Sequence, residues 1–335
     1  MAQGRLGELA RRTPPRVRNL LNRGRNRVLR ALDAVPAGPP AVDDAEPVWK
    51  PPPVPVPDGM TIADLTNLFH TWSVNGEPAG HLDAYVADSL WRFCHTWSLI
   101  RNEKGRCLEL GANPYFTTQL LDDFTDLDLT LVNFYGTRGA ATETVSYVPP
   151  GTDERTLREH ETTMFNVEED EFPFADHSFD VVLFCEIIEH LLMDPLAALR
   201  EIHRVLEPGG ILVLTTPNVA RLDNVAAMVD GRNLYDPYSG FGPYGRHNRE
   251  YTLHDLSRLL AFAGFEVEVA FTADGHPLDP GHSGRYAEVG PLVAWRSTDL
   301  GQYLFVRARA TGSGRDGQPS FLYRDWGAGQ IVDYS

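Results

Sequence analysis

Two carboxylates and an imidazole stand close together at Glu186, Glu189 and His190. In a helix, positions i, i+3 and i+4 share one face, so a helical reading lets all three side chains converge. Two carboxylates held side by side repel unless something neutralises them. A divalent cation does so while accepting a neutral imidazole; mixed nitrogen and oxygen ligation admits Mg²⁺ or Mn²⁺, and Zn²⁺ as well. A fourth candidate ligand is His247, in FGPYGRHNREYT, just ahead of a helix expected to start near Thr252. A metal-free alternative makes His190 or His247 a general base. On either reading Glu189, His190 and His247 are the catalytic candidates.

A second constellation lies in CLELGANPYFTTQLL, residues 107–121. Gly111 permits a tight turn, Asn113 tolerates positive φ, and the helix that follows points its N-terminus into the crevice. Only Gly111 is glycine here, so the GxGxxG cradle for a pyrophosphate is missing, which counts against a nicotinamide or flavin dehydrogenase. Glu109 at a strand end, followed by one glycine, suits a smaller ligand with an amino-acid moiety. No GxSxG elbow occurs, so nucleophilic hydrolase chemistry has no support.

Positioning these groups requires alternating strands and helices from about residue 105. Expected strands are Arg106–Gly111, Leu127–Phe134, Thr163–Val167, Phe179–Cys185, Gly210–Thr216, Phe265–Thr272 and Gln302–Ala310. Runs such as DVVLF and ILVLTT suit strands buried on both faces of a parallel sheet. A helix is expected after the fourth strand, with Asp194 as N-cap, Pro195 in first position and Gly209 past its end. Ala273–Leu300 shows no clear helix, so the last two strands are expected to pair antiparallel. The class is α/β, a Rossmann-like doubly wound sheet. Leu82, Tyr85, Val86, Ser89, Leu90 and Phe93 recur at helical spacing and give a helical cap over 59–104.

The net charge of −16 is unevenly spread. Residues 1–35 hold nine Arg against Glu8 and Asp33, a balance of +7, which leaves −23 on the other 300 residues. A body so negative repels polyanions and argues against nucleic acid as the main partner. The basic segment suits contact with anionic lipid, RNA or a partner protein, or is a disordered extension. Residues 36–58 contain nine prolines, a composition expected of a semi-rigid polyproline linker, so 1–58 is read as lying outside the folded body. The apolar runs are too short to cross a membrane, and three cysteines without a CxxC pair fit a reduced, cytoplasmic protein, peripheral at the membrane if the basic segment binds lipid. Nothing in the sequence fixes the oligomeric state.

From about 105 to 310 the chain resembles class I S-adenosylmethionine (SAM) dependent methyltransferases, through ELGAN at 109–113, NVEEDEFPFADHSFDVVLFCEIIEHL at 166–191 and LREIHRVLEPGGILVLTTPN at 199–218. The resemblance implies a seven-stranded sheet with an antiparallel last pair. It implies that Glu109, Gly111, Ala112 and Asn113 wrap the methionine part of SAM, and that Asn133 faces the ribose hydroxyls. Asn166 would read the adenine amino group, the Val167 backbone would lie near the ring, and Cys185 joins the cofactor contacts. ExxEH with a later His resembles the metal-dependent small-RNA 3′-terminal 2′-O-methyltransferases and the ubiquinone-pathway O-methyltransferases. GRHNREYT also looks like methyltransferases of bacterial glycan assembly.

These resemblances imply O-methylation of a small-molecule, saccharide or glycolipid hydroxyl, with a divalent metal (Mg²⁺ or Mn²⁺) on Glu186, Glu189, His190 and His247. The alternatives are a catechol or polyketide acceptor, an RNA 3′-terminal 2′-hydroxyl, or a catalytically silent scaffold. Residues 218–251 form a substrate-side insertion whose Tyr235, Tyr238, Phe241 and Tyr244 either stack on sugar faces or anchor the loop. FLYRDW at 321–326 is expected to dock the tail, 311–335, onto the body.

Overall fold

The computed structural model describes residues 49–278, 283–296, 298–327 and 329–334. The basic segment therefore lies outside the described residues, as does His282. In chain order the main elements are α1 (Ile62–His70), β1 (Ser73–Val74), α2 (Asp83–Ile100), β2 (Lys104–Leu110), α3 (Phe116–Phe124), β3 (Asp126–Asn133), β4 (Gly139–Tyr147) and β5 (Thr156–Met164). There follow β6 (Phe179–Cys185), α4 (Pro195–Val205), β7 (Leu206–Pro217), α5 (Leu222–Val229), α6 (Leu253–Phe262), β8 (Phe265–Ala273), α7 (Ser283–Val293) and β9 (Tyr303–Ala310).

The sheet runs β1-β4-β5-β3-β2-β6-β7-β9-β8. Strands β5, β3, β2, β6 and β7 are parallel neighbours, and β9 lies antiparallel between β7 and β8. This is the Rossmann-like order, with β4 and β1 added at one edge. Successive side chains of a strand point to opposite faces, and both faces here are covered. Leu108, Leu110, Val182, Phe184, Leu212 and Leu214 meet α4 and α6 on one side. Cys107, Val181, Leu183 and Val213 meet α1, α2 and α3 on the other. Helix α4 starts as its residues dictate: the Asp194 carboxylate accepts from the Leu196 and Ala197 amides, and Pro195 occupies the first turn.

Four expectations need correction. The third strand of the parallel set is Thr156–Met164 rather than Thr163–Val167, and it pairs along its length with β4, from Gly139 opposite Met164 to Tyr147 opposite Thr156. The chain thus returns from β3 through an antiparallel strand instead of a crossover helix. Both strands alternate polar and small residues, with only their last few positions buried, so no apolar run marks them. Second, Ala273–Leu300 contains α7, whose periodicity is masked by Gly290 and Pro291. Third, the Pro-rich run is not a free linker from residue 49 on: the buried Trp49 indole donates to Asp274 at 2.9 Å, and Val54 and Val56 pack on the core. Fourth, Glu186–His190 is not a helical face, as described below. The tail does dock, with the Tyr323 hydroxyl on Asp194 at 2.6 Å. Among the described residues no helix is long and apolar enough to cross a membrane.

The added strand β4 brings a buried acid, Glu143, to the end of β3. Its carboxylate accepts from Asn133 Nδ2 at 2.8 Å, from Asn75 Nδ2 at 3.0 Å and from the Tyr115 hydroxyl. Removing it strands two buried donors, Asn133 and Tyr115. Glu143→Ala is expected to lower the unfolding free energy by about 2–4 kcal/mol in urea titration. A loss below about 0.5 kcal/mol, the range of ordinary surface changes, would show that the network does not brace this edge.

Candidate functional site

The parallel strands end side by side, and a cavity of about 590 Å³, counted with its open mouth, lies over their carboxyl ends. Doubly wound sheets bind ligands at this edge. Gly111, Asn133, Asn166, Val167, Glu186 and His190 line it, with Phe134, Phe165, Ile187 and Leu191 as apolar wall and Tyr244 over it. Four other residues expected at the cofactor do not line this cavity. Glu109 is buried beneath the turn, where it accepts from Thr118 at 2.7 Å, and burial pushes its carboxyl up to about 8. Ala112 is buried. Asn113 contributes its backbone amide to the Asn133 side chain at 2.9 Å. The Cys185 thiol sits against the Val213 carbonyl at 4.0 Å, pushed up to about 12 by burial.

Asn133 reaches the cavity wall, yet both halves of its amide are spent on Asn113, Tyr115 and Glu143. It has no donor left for a ribose hydroxyl; it locks the glycine turn to β4 instead. Asn166 behaves similarly: its side-chain oxygen accepts from the Glu168 amide and its Nδ2 donates to the Tyr244 hydroxyl at 3.1 Å. Tyr244 in turn donates to Glu169 at 3.2 Å, so this aromatic anchors the insertion over the cavity. Tyr235, Tyr238 and Phe241 remain exposed.

The expected cation ligands divide into two groups. Glu186 takes a left-handed backbone, φ 55°, at the end of β6, and only Ile188–His190 forms a turn of 3-10 helix. The reversal sends the Glu186 carboxylate to Thr215 Oγ1 at 2.8 Å and to within 3.8 Å of the Arg92 guanidinium. Glu189, His190 and His247 come together without it, one ligand atom of each within 4.8 Å of the others.

Glu189 is fully buried; one oxygen accepts from Thr216 Oγ1 at 2.9 Å, while the other has no hydrogen-bond partner and lies 3.8 Å from His190 Nε2. Burial, and then the Glu186 charge, push this carboxyl well above its usual range. His190 Nδ1 donates to the Arg246 carbonyl at 3.0 Å, and His247 Nδ1 lies 3.0 Å from Glu250 Oε1. In its neutral form each ring keeps its proton on Nδ1 against that outer partner and offers Nε2 as the lone-pair nitrogen. Metal-ligating histidines are held this way. Burial and the neighbouring His247 hold His190 below the usual imidazole range; burial also works against His247, but Glu250 and Asp236 outweigh it and raise it. The donor set is fit for a divalent cation, at three ligands rather than four.

Sequence reasoning missed Arg92. It is buried on α2, donates to the Tyr85 hydroxyl at 2.9 Å and leaves its Nε without a partner. Burial opposes its charge, yet Glu186, Tyr85 and Tyr303 outweigh that and hold it protonated. The available signal was an arginine one position beyond Trp91, inside the apolar stripe of the cap.

The family described as "Methyltransferase domain" matches residues 79–269, more than half of the chain and the whole of the cavity's floor. The chain belongs to the methyltransferase domain family. Among curated relatives, a "Probable S-adenosylmethionine-dependent methyltransferase" of Mycolicibacterium smegmatis is 37% identical over 122 residues, 35% of this chain and 42% of that protein. The ubiquinone biosynthesis O-methyltransferase of Parvibaculum lavamentivorans is 29% identical over 106 residues, 31% of this chain and 40% of that protein. The chain spans less than half the length of these relatives. Among solved structures, the Burkholderia thailandensis 1,6-didemethyltoxoflavin-N1-methyltransferase, with 1,6-didemethyltoxoflavin and S-adenosylhomocysteine bound, is similar over 68% of this chain and 81% of its own at 16% identity and TM-score 0.40.

For this methyltransferase domain the cavity fits a methyl donor of nucleoside type: apolar walls flank it and its floor is a bare glycine. Gly111 has φ +71°, and a Cβ there would meet the Ile187 side chain at 3.0 Å. Gly111→Val combines that clash with a backbone strained for a β-branched residue. Calorimetric titration is expected to show S-adenosylhomocysteine affinity reduced at least about tenfold, near 1.4 kcal/mol, with the fold retained. Unchanged affinity in the folded variant would place the donor elsewhere.

Proposed function

We propose that this methyltransferase is a SAM-dependent O-methyltransferase for a hydroxyl of a saccharide or glycoconjugate, with a divalent cation on Glu189, His190 and His247. The observation that carries this reading is the Glu189 oxygen buried without a hydrogen-bond partner among the described residues, beside His190 and in one cluster with His247. A buried unpartnered carboxylate oxygen costs free energy unless a positive ligand meets it. An alcohol is a poor nucleophile at neutral pH, and a bound cation lowers the pKa of an oxygen next to it.

The chain's own residues supply the rest. His190 lines the donor cavity and His247 lines the cavity beside it, so the triad stands between the two. Holding donor and acceptor in line at such a junction supplies much of the rate of a displacement. Glu186, paired with Arg92 and Thr215, lines the donor side and orients what binds there. The exposed rings of Tyr235, Tyr238 and Phe241 on the insertion suit stacking on sugar faces. The −23 body disfavours an RNA end. A catechol acceptor is the second reading, supported by the ubiquinone-pathway relative. The cytoplasm supplies the donor, so we place the enzyme there.

Mn²⁺ titrated into EDTA-treated protein in the presence of S-adenosylhomocysteine is expected to fill one site. Glu189→Gln and His247→Ala should each weaken it by about 10–100-fold, and Glu186→Gln should change it little. Methyl label passed from SAM to a saccharide extract should resist alkali, as an ether does and an ester does not, and EDTA should abolish the transfer. Full transfer in EDTA would make His190 or His247 a metal-free base. Absence of any SAM binding would leave only a scaffold.

A further inference from the structure

The second cavity says something about the acceptor beyond its hydroxyl. It is lined by His247 and its polar neighbours, by Val219, Met228, Leu234 and Tyr235, and by Arg232, which pairs with Asp230 at 3.3 Å. The His190 and His247 rings, one in each cavity, have centroids 5.0 Å apart, so the acceptor side begins where the donor side ends. Beyond it a shallow trough shares Val219, Met228 and Leu234 and adds Val225 and Val229. Met228 and Val229 are 61% and 53% exposed although they belong to α5, whose inner face packs Leu222 and Ala226 into the core. An eight-residue helix that buries one stripe and shows a second apolar stripe to water continues the apolar lining outwards from the catalytic histidine.

Acidic lining residues gather about His247, and Arg232 is the charged lining residue nearest in sequence to the Met228–Leu234 wall. Asp236 and Glu250 surround His247 at the polar end, the Asp236 carboxylate accepting from the His247 amide at 3.0 Å. Arg249 lines the cavity with its guanidinium over the Tyr251 ring. The far end, along Val225 and Val229, carries no charged lining residue among those described.

Polar groups at the triad and an apolar track leading away from it describe an amphiphile. Resting on the O-methyltransferase reading, we propose that the acceptor is a saccharide joined to a hydrocarbon group, its sugar hydroxyl at His247 and its chain along the Met228–Leu234 trough. A free sugar would leave the trough wet. A chain laid in it gains about a fourfold factor in affinity for each methylene removed from water.

The test uses n-decyl maltoside below its micelle concentration against maltose, both titrated into the full chain saturated with S-adenosylhomocysteine. The alkyl glycoside is expected to bind at least about tenfold more tightly than maltose, a difference of near 1.4 kcal/mol by the same relation. Met228→Asp, at an exposed position, is expected to erase that preference while S-adenosylhomocysteine affinity stays as in the parent chain. Equal binding of the two glycosides by a chain that still binds S-adenosylhomocysteine would overturn the amphiphile and leave the methyltransferase reading standing. An alkyl preference that survives Met228→Asp would overturn it too. So would a Met228→Asp change in oligomeric state without any alkyl preference, since the trough would then be a protein interface. Failure of S-adenosylhomocysteine to bind at all would remove the reading on which the proposal rests.

Discussion

Burying the Glu189 carboxylate is the constraint around which the rest of this site is arranged. The side chain has no exposure, and one of its oxygens has no hydrogen-bond partner. Such a group is tolerated only where the surroundings are built to hold it. Thr216 on β7 holds one oxygen, and the Glu189 carbonyl accepts from the Asn248 and Arg249 amides, which staples the insertion to the end of β6. Asn248 also donates to the His190 carbonyl at 2.8 Å. The same contacts that bury the acid therefore deliver His247 to His190. Position in the sheet, burial of the carboxylate and closure of the insertion are one structural fact.

The donor side obeys a separate logic. Its turn at Gly111 is bonded to the Val132 carbonyl through two successive amides, and Asn133 ties Asn113 to the added strand β4. The residue at the end of β3 is an asparagine, Asn133, with no charge of its own. Glu143, two strands further out in the sheet, supplies a carboxylate to the same cluster through Asn133 and Tyr115. Strand β4, which stands where a crossover helix would be expected and pairs with β5, carries that side chain past β5 to the end of β3.

How much of this could be read in the chain follows from what kind of pattern each part leaves. Strands buried on both faces leave apolar runs, so β2, β6 and β7 were legible, and the capping of α4 was written in Asp194 and Pro195. Strands β4 and β5 bury little and alternate polar residues, which leaves no run to find. Glu186 shows the limit of spacing arguments: i, i+3 and i+4 meet only on a helix, and its left-handed φ of 55° removes it from that face. His190 and His247 meet for a reason no local pattern holds, namely the long-range bonds from residues 246–249. Asn133 and Asn166 were legible as strand-end residues at the cavity, but their roles depend on partners, Glu143 and Tyr244, far away in sequence. Arg92 left only one polar letter in an apolar stripe.

The claim on which the account turns is that three side chains, and not four, form one cation site at the meeting of the two cavities. Crystals of the chain grown with S-adenosylhomocysteine and Mn²⁺, measured at the manganese absorption edge, test it directly. The account requires an anomalous peak at coordination distance, about 2.1 Å, from Glu189, His190 and His247, with Glu186 still on Arg92 and Thr215. A peak ligated by Glu186, or none at saturating Mn²⁺, would contradict it.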